Sequence, residues 1–307
     1  MKKLFVLTAS LTVAAQVAFA QIKLPQASPG AMIMQTVGTT DMTVTYSRPS
    51  LKGRAALGNQ TPLAPYGQLW RTGANGATSF KATTDVMVEG QKLPAGTYSV
   101  FTIPAETEWT LIFNKDATAS SDESAPNGYK KEQDALRVQI KTEKTSRPVQ
   151  TFAISFSDLT DSTAKLNFEW AEARAMANLK VDVVTNAQAN VEKAVADKPE
   201  DAGVLQAAAN WNLSKNRNLD QALAWVDKSI GLKETYSNVW TKAQILAKMG
   251  KVTEALPLAQ KALTLGEASN DPIFKFFKEG IQKGVTEYQA QVAALPVKAV
   301  KGKKKKV

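Results

Sequence analysis

Two residue types are missing from this 307-residue sequence: it has no cysteine and no histidine. Without cysteine there are no disulfides, thiolate nucleophiles or iron–sulfur clusters. Without histidine there is no Ser-His-Asp triad and no imidazole metal ligand. Zinc sites favour these same two residues. No metal site and no cofactor is therefore expected, although a carboxylate site for Ca²⁺ or Mg²⁺ stays formally open. Any catalysis would fall to carboxylates, Lys, Arg, Tyr or hydroxyls, and no catalytic constellation of these is recognisable. Nucleic-acid-binding motifs are absent too, so no nucleic-acid partner is expected.

Apart from the first twenty residues, no apolar run is long enough to span a bilayer. Met1-Lys2-Lys3 is a basic start, residues 4–20 are uncharged, and Ala18-Phe19-Ala20 has the small-x-small form of a signal peptidase site. Together these read as a bacterial secretory signal peptide over 1–20, with the mature chain beginning at Gln21. The alternative, a retained anchor, is opposed by the polar Thr8, Ser10, Thr12 and Gln16. The expected mature protein is exported, periplasmic or secreted, with no transmembrane segment. A chain without thiols suits an oxidising compartment.

The formal charge is +10. Lys2 and Lys3 lie in the signal, and Lys298, Lys301, Lys303, Lys304, Lys305 and Lys306 lie in the last ten residues. Removing those eight from +10 leaves +2 for the body. Residues 294–307 thus read as a disordered lysine-rich tail, able to touch an anionic surface.

Residues 28–185 read as β structure. Met42-Thr43-Val44-Thr45-Tyr46 alternates, and Gly96-Thr97-Tyr98-Ser99-Val100-Phe101-Thr102-Ile103 is rich in strand formers. Trp109, Leu111 and Phe113 share a strand face, as do Phe152, Ile154 and Phe156, and Leu166, Phe168 and Trp170. Leu179-Lys180-Val181-Asp182-Val183 closes the region. Short strands between turn signals argue for an antiparallel β-sandwich or jelly roll. A Gly-, Pro- and Asn-rich connection over residues 48–76 interrupts them.

Residues 186–293 take a helical period, with segments near 186–197, 203–215, 219–232, 236–249, 252–265 and 272–293. Asp271-Pro272 is placed to cap the last. Asn218-Leu219-Asp220-Gln221-Ala222-Leu223 aligns with Lys251-Val252-Thr253-Glu254-Ala255-Leu256 at an offset of 33. This two-helix unit resembles tetratricopeptide repeats; Pro257 and Asn210 depart from that pattern, and a plain α-hairpin bundle is the other reading. The chain is thus expected to be an α+β multidomain protein, a β-sandwich followed by a helical hairpin-repeat domain.

Several phrases in the β region are distinctive: Tyr46-Ser47-Arg48-Pro49-Ser50, Lys52-Gly53-Arg54, Pro65-Tyr66-Gly67, Leu69-Trp70-Arg71-Thr72-Gly73-Ala74-Asn75 and Ala95-Gly96-Thr97-Tyr98-Ser99-Val100. In this order and spacing they resemble the bacterial family known as domain of unknown function 2911, over roughly half of the chain. The resemblance implies an exported β-rich domain, sometimes followed by helical repeats, and brings no activity with it.

Arg48, Arg54, Tyr66, Trp70, Arg71 and Asn75 gather in the long connection. Guanidiniums match carboxylate or phosphate oxygens, and aromatic faces stack on sugar rings, so an anionic or glycan ligand suits them. The same residues would equally serve to pin a long loop. In the helical region Trp211, Ser214, Trp240 and Gln244 would face a concave groove able to take a protein or peptide, or would pack between helices. Ser162-Thr163-Ala164-Lys165 has a Ser-x-x-Lys spacing without its companion phrases. Glu106 and Glu108 could form a carboxylate pair or a solvated rim.

The expected function is a non-enzymatic exported binding or scaffold protein. The alternative is an envelope enzyme using carboxylates, a glycan hydrolase or lyase. N-terminal sequencing of the protein from the envelope of its native host is expected to start at Gln21; a retained Met1 would contradict the export reading.

Overall fold

The computed structural model describes residues 24–61 and 63–295. Residues 1–20, read above as a signal peptide, and residues 296–307 of the lysine-rich tail lie outside the described residues. The chain divides into two compact units between Val181 and Asp182.

The first unit holds β1 (Gly30–Val37), β2 (Thr40–Ser47), β3 (Leu57–Gly58), β4 (Ala64–Pro65), β5 (Thr78–Ala82), β6 (Val86–Val88), β7 (Gln91–Leu93), β8 (Gly96–Ile103), β9 (Glu108–Asn114), β10 (Asp134–Ser157) and β11 (Thr163–Val181). Nine strands form one sheet in the order β1-β2-β5-β8-β9-β10-β11-β6-β7, and β3 and β4 pair separately. Every neighbour in the large sheet is antiparallel.

Strand alternation makes the core. Met42, Val44 and Tyr46 of β2 are buried, with Trp109, Leu111 and Phe113 of β9 and Leu166, Phe168 and Trp170 of β11. On the other face of β8 and β9, Phe101 and Ile112 are covered by Ala119 and Tyr129. Both faces of these central strands are therefore covered, which explains the unbroken buried run from Tyr98 to Thr102 in β8.

The sheet turns back on itself. Leu51 N donates to Gln150 O and Phe152 N to Pro49 O, both at 2.9 Å. The Tyr46 hydroxyl accepts from Ile154 N at 2.9 Å. Joining the chain after β2 to β10 requires β10 to bend, and its register with β11 shifts between Lys144 and Val149. Pro148 lies in that interval and has no N–H to give the ladder. Opposite, Ala171 sits at φ 51°, the left-handed conformation of a bulge residue.

The strand expected to reach Val183 stops at Val181. Asp182 instead caps the first helix, its Oδ1 accepting from Thr185 N at 3.0 Å. The second unit is α1 (Val183–Asp197), α2 (Ala202–Ser214), α3 (Leu219–Leu232), α4 (Tyr236–Lys248), α5 (Val252–Ala268) and α6 (Phe274–Ala293). Asp201 caps α2, and Thr235 with Asn238 forms a capping box on α4. Pro257 lies inside α5. Asp271 and Pro272 precede α6 in a turn rather than starting it: Asp271 Oδ1 accepts from Ile273 N at 2.9 Å and its Oδ2 from the Tyr236 hydroxyl at 2.9 Å.

The sequence repeat is a structural repeat. Lys228 pairs with Glu200 and Lys261 with Glu234, each at 2.6 Å. Arg217 N bonds Asn212 O, and Lys251 N bonds Leu246 O, at equivalent turns. Each turn needs a residue at positive φ, supplied by Asn216 and Gly250. Ala222 and Val226 in α3, and Ala255 and Ala259 in α5, are the buried equivalents.

Gly284 in α6 lies against the Trp240 ring of α4, where an added Cβ would collide with the indole, while nothing stands within 4 Å of a Cβ at Gly280. Gly284→Ala is expected to destabilise the helical unit by about 1–3 kcal/mol through overpacking. Gly280→Ala is expected to stabilise it by about 0.5–1 kcal/mol. Denaturant unfolding followed at the helical circular dichroism band measures both.

Candidate functional site

The connection between β2 and β5 is ordered by its own polar groups. Trp70 pairs with Thr102 of β8 as a short bridge, N to O 2.7 Å and O to N 2.9 Å. Its ring enters the core and is only 6% exposed. It stacks on Trp170 at 5.5 Å and meets Phe152 and Trp109 edge-on at 5.0 and 6.2 Å. Its Nε1 donates to Gly73 O at 3.1 Å. A stacked ring, two edge contacts and a partner for the polar edge thus engage this indole.

The rest of the phrase follows from that anchor. Thr78 Oγ1 donates to Thr72 O at 2.6 Å, and Thr72 Oγ1 to Thr102 Oγ1 at 3.2 Å. A Cβ at Gly73 would stand 2.9 Å from Ser47 O, so the close approach admits only glycine. Asn75 Nδ2 donates to Ser28 O and Ser47 Oγ at 3.3 and 3.2 Å. Arg48 Nε donates to Phe152 O at 2.9 Å, tying the chain after β2 to β10. Arg71 stands apart: its Nη1 reaches Ser121 Oγ at 3.5 Å, and its Nε is buried without an acceptor.

Arg54 and Tyr66 meet elsewhere, in a cleft of about 540 Å³ beside the bulge. Its walls include Leu51, Glu106, Lys144 and Glu172 besides these two. The bulge opens it, because Lys144, Pro148, Ala171 and Glu172 come from the stretch where β10 and β11 lose register. Arg54 is aimed by its backbone bonds: Nε donates to Leu51 O at 3.1 Å and Nη2 to Ser50 O at 3.0 Å. Its Nη1 hydrogens stay available to a ligand. Thr142 Oγ1 donates to Glu106 O at 3.0 Å and fixes the turn that carries Glu106.

Of the cleft's carboxylates, Glu143 is paired with Arg174 at 3.1 Å. Arg174 also holds Glu169 at 2.5 Å, and that carboxylate keeps its guanidinium above the usual range. Among the described residues no ion pair ties Arg54, Lys144, Glu106 or Glu172. No group of three His, Cys, Asp or Glu among the described residues could hold a metal ion.

Glu106 and Glu108 do not share a hollow. Glu108 begins β9 and lines a separate depression of about 370 Å³ with Lys141 and Lys165. Lys165 is paired with Asp158 at 2.7 Å, and that carboxylate pushes its ammonium pKa up.

In the helical unit Trp211 Nε1 donates to Gln188 Oε1 at 3.0 Å and Lys215 lies over its ring. Ser214 bonds back to Trp211 O at 2.7 Å. Trp240 packs against Gly284 and Tyr288 between α4 and α6, and Gln244 is half-buried on α4. Small polar contacts join α2 to α4: Gln206 Nε2 to Ser237 Oγ at 2.5 Å and Thr241 Oγ1 to Asn210 Oδ1 at 3.0 Å.

Fold and site define a two-unit α+β protein, an antiparallel β unit followed by helical hairpins. Residues 28–179 match the family model described as "Protein of unknown function (DUF2911)", and the β unit belongs to that family. No curated protein matches the chain.

Sequence reasoning missed Lys144 and Glu172 as cleft residues. The available signal was Pro148, a proline in the middle of an otherwise strand-forming stretch.

Trp70→Ala is expected to cost about 3–5 kcal/mol, the usual penalty for emptying a buried aromatic site. Arg54→Ala, on an exposed side chain, is expected to change stability by less than about 0.5 kcal/mol. Urea unfolding of the two variants separates the pinning residue from the cleft residue.

Proposed function

We propose that this is an exported, non-enzymatic binding protein whose β unit takes a small anionic or glycan ligand in the cleft at Arg54 and Tyr66. The observation that carries the reading is the aimed guanidinium: Arg54 is fixed by two carbonyls on one side and opens onto the cleft on the other. Tyr66 supplies an aromatic face and a hydroxyl on the same wall. Leu51, Leu57 and Pro148 supply apolar contact. Placed polar groups beside apolar contact in a concave hollow suit a small polar ligand.

The helical hairpins would dock a protein or peptide in the manner of tetratricopeptide repeats. The 33- to 34-residue recurrence of ion pairs and turns supports that reading. Export rests on the pattern of residues 1–20, and the lysines of the tail would hold the protein near an anionic surface. No helix among the described residues is long and apolar enough to cross a membrane.

A second reading is a carboxylate enzyme acting on glycans, favoured by Glu106, Glu143 and Glu172 in one cleft. Glu143 already serves Arg174, which leaves Glu106 and Glu172 for that chemistry.

A thermal-shift screen with sugar acids, sugar phosphates and neutral glycan fragments tests both. Ligand at a hundred times Kd is expected to add about 2.7 kcal/mol of stability. Arg54→Ala and Tyr66→Ala are expected to abolish the gain without lowering the ligand-free midpoint. A gain that survives both substitutions contradicts the site. Turnover of a bound glycan that is lost in Glu172→Gln would replace binding by catalysis.

A further inference from the structure

The two ends of the nine-stranded sheet are built differently. β7 is a three-residue edge strand carrying Lys92, whose Nζ pairs with Asp85 at 2.7 Å. Short length and a lysine are the ordinary means of keeping an edge from pairing. β1 has neither. Its eight residues, Gly30-Ala31-Met32-Ile33-Met34-Gln35-Thr36-Val37, hold no charge and no proline. Among the described residues β1 pairs only with β2.

The orientation of the free backbone groups follows from register. Residue i of β1 lies opposite 77 − i of β2, as Ile33 does Val44. One step beyond the ladder, Arg48 N donates to Pro29 O at 2.9 Å. Antiparallel bonds alternate along a strand. Pro29, Ala31, Ile33, Gln35 and Val37 therefore bond towards β2, and Gly30, Met32, Met34 and Thr36 turn their N–H and C=O outward, the Thr36 carbonyl accepting there from Gln35 Nε2 at 2.9 Å. Those outward-bonding residues are also the exposed ones. Met32 is 69% exposed and Met34 is 65% exposed. These two thioether side chains thus lie on the solvent face of an uncharged edge that no other described strand pairs with.

We propose that this edge pairs with the same edge of a second copy, β1 running antiparallel to β1 about a two-fold axis through Ile33. The strand is complementary to itself in this register and in no other to the same extent. With Ile33 facing Ile33 of the second copy, Met32 falls opposite Met34, Met34 opposite Met32, and Gly30 opposite Thr36. All four outward residues of each strand then bond their backbone groups. The four methionines meet on one face, and their flexible, polarisable side chains fill an irregular contact well. The absence of charge removes any like-charge penalty when a strand faces its own copy. An isologous contact of this kind closes after two copies and gives a dimer rather than a fibre.

Analytical ultracentrifugation of the purified protein at micromolar concentration, with three variants, tests the pairing. The wild-type chain is expected to sediment at twice the chain mass. Met32→Lys with Met34→Lys places lysine opposite lysine and is expected to give monomer with an unchanged circular dichroism spectrum. Met32→Lys with Met34→Glu places lysine opposite glutamate across the axis and is expected to restore the dimer. A monomeric wild-type chain, or a dimer that survives two lysines, overturns the proposal. The sequence has no cysteine, so Ile33→Cys adds a check that does not depend on charge. Facing residues in a non-hydrogen-bonded pair stand about 4.5 Å apart at Cα, inside the disulfide window of about 4.4–6.8 Å. Mild oxidation is expected to give a covalent dimer on a non-reducing gel. A product that stays wholly monomeric contradicts the axis at Ile33.

Discussion

The β unit depends on one buried side chain that does not belong to any of its strands. Trp70 reaches the core from a long connection, stacks on Trp170 and meets Phe152 and Trp109 at their edges. These partners come from β11, β10 and β9. A single indole therefore joins three strands that the chain builds at different times, and its backbone bridge to Thr102 adds β8. A ring of this size removes about 150–250 Å² from water, at about 25 cal/mol per Å². That gain offsets the entropy of ordering a connection rich in Gly, Pro and Asn. Thr72, Gly73, Asn75 and Arg48 make the connection follow the anchor.

Fixing the connection also places the cleft. Arg54 is held by Leu51 O and Ser50 O, and Leu51 is itself bonded to Gln150 of β10. The opposite wall is the bulge, where Pro148 breaks the ladder and Ala171 takes a left-handed backbone. A non-glycine residue in that conformation persists only where the surroundings over-determine it. Here the return of the sheet onto residues 49–51 does so. Trp70, Thr72 and Asn75 fix the frame, and the frame presents Arg54 and Tyr66 to the cleft.

Much of this was legible in the sequence. Strand alternation located the buried faces of β2, β9 and β11, because a half-buried strand must alternate. The helical stripes and the 33-residue offset located both ends of α3 and the start of α5, which runs three residues beyond the expected 265. The boundary near Val183 was not legible, because a β-branched run continues past the point where Asp182 caps a helix. The start of α6 was misplaced for a related reason. Asp271 has the chemistry of a cap, but it stands three residues before the helix, where its carboxylate serves Ile273 N and the Tyr236 hydroxyl. The six residues singled out in the connection share a neighbourhood in sequence and not in space. Arg48, Trp70 and Asn75 point to backbone and core, Arg71 to Ser121, and only Arg54 and Tyr66 to the cleft. Proximity along a chain that folds back between two strands says little about which way each side chain turns.

Amide hydrogen exchange across residues 48–78, the connection and its bond from Thr78 N to Arg71 O, tests the central claim most directly. If Trp70 locks this connection into the core, the amides of Leu51, Trp70 and Thr78 exchange as slowly as that of Phe152 in β10, through the same global opening. Fast exchange of all three with β10 still protected would show a mobile loop beside an independent sheet, and would contradict the account.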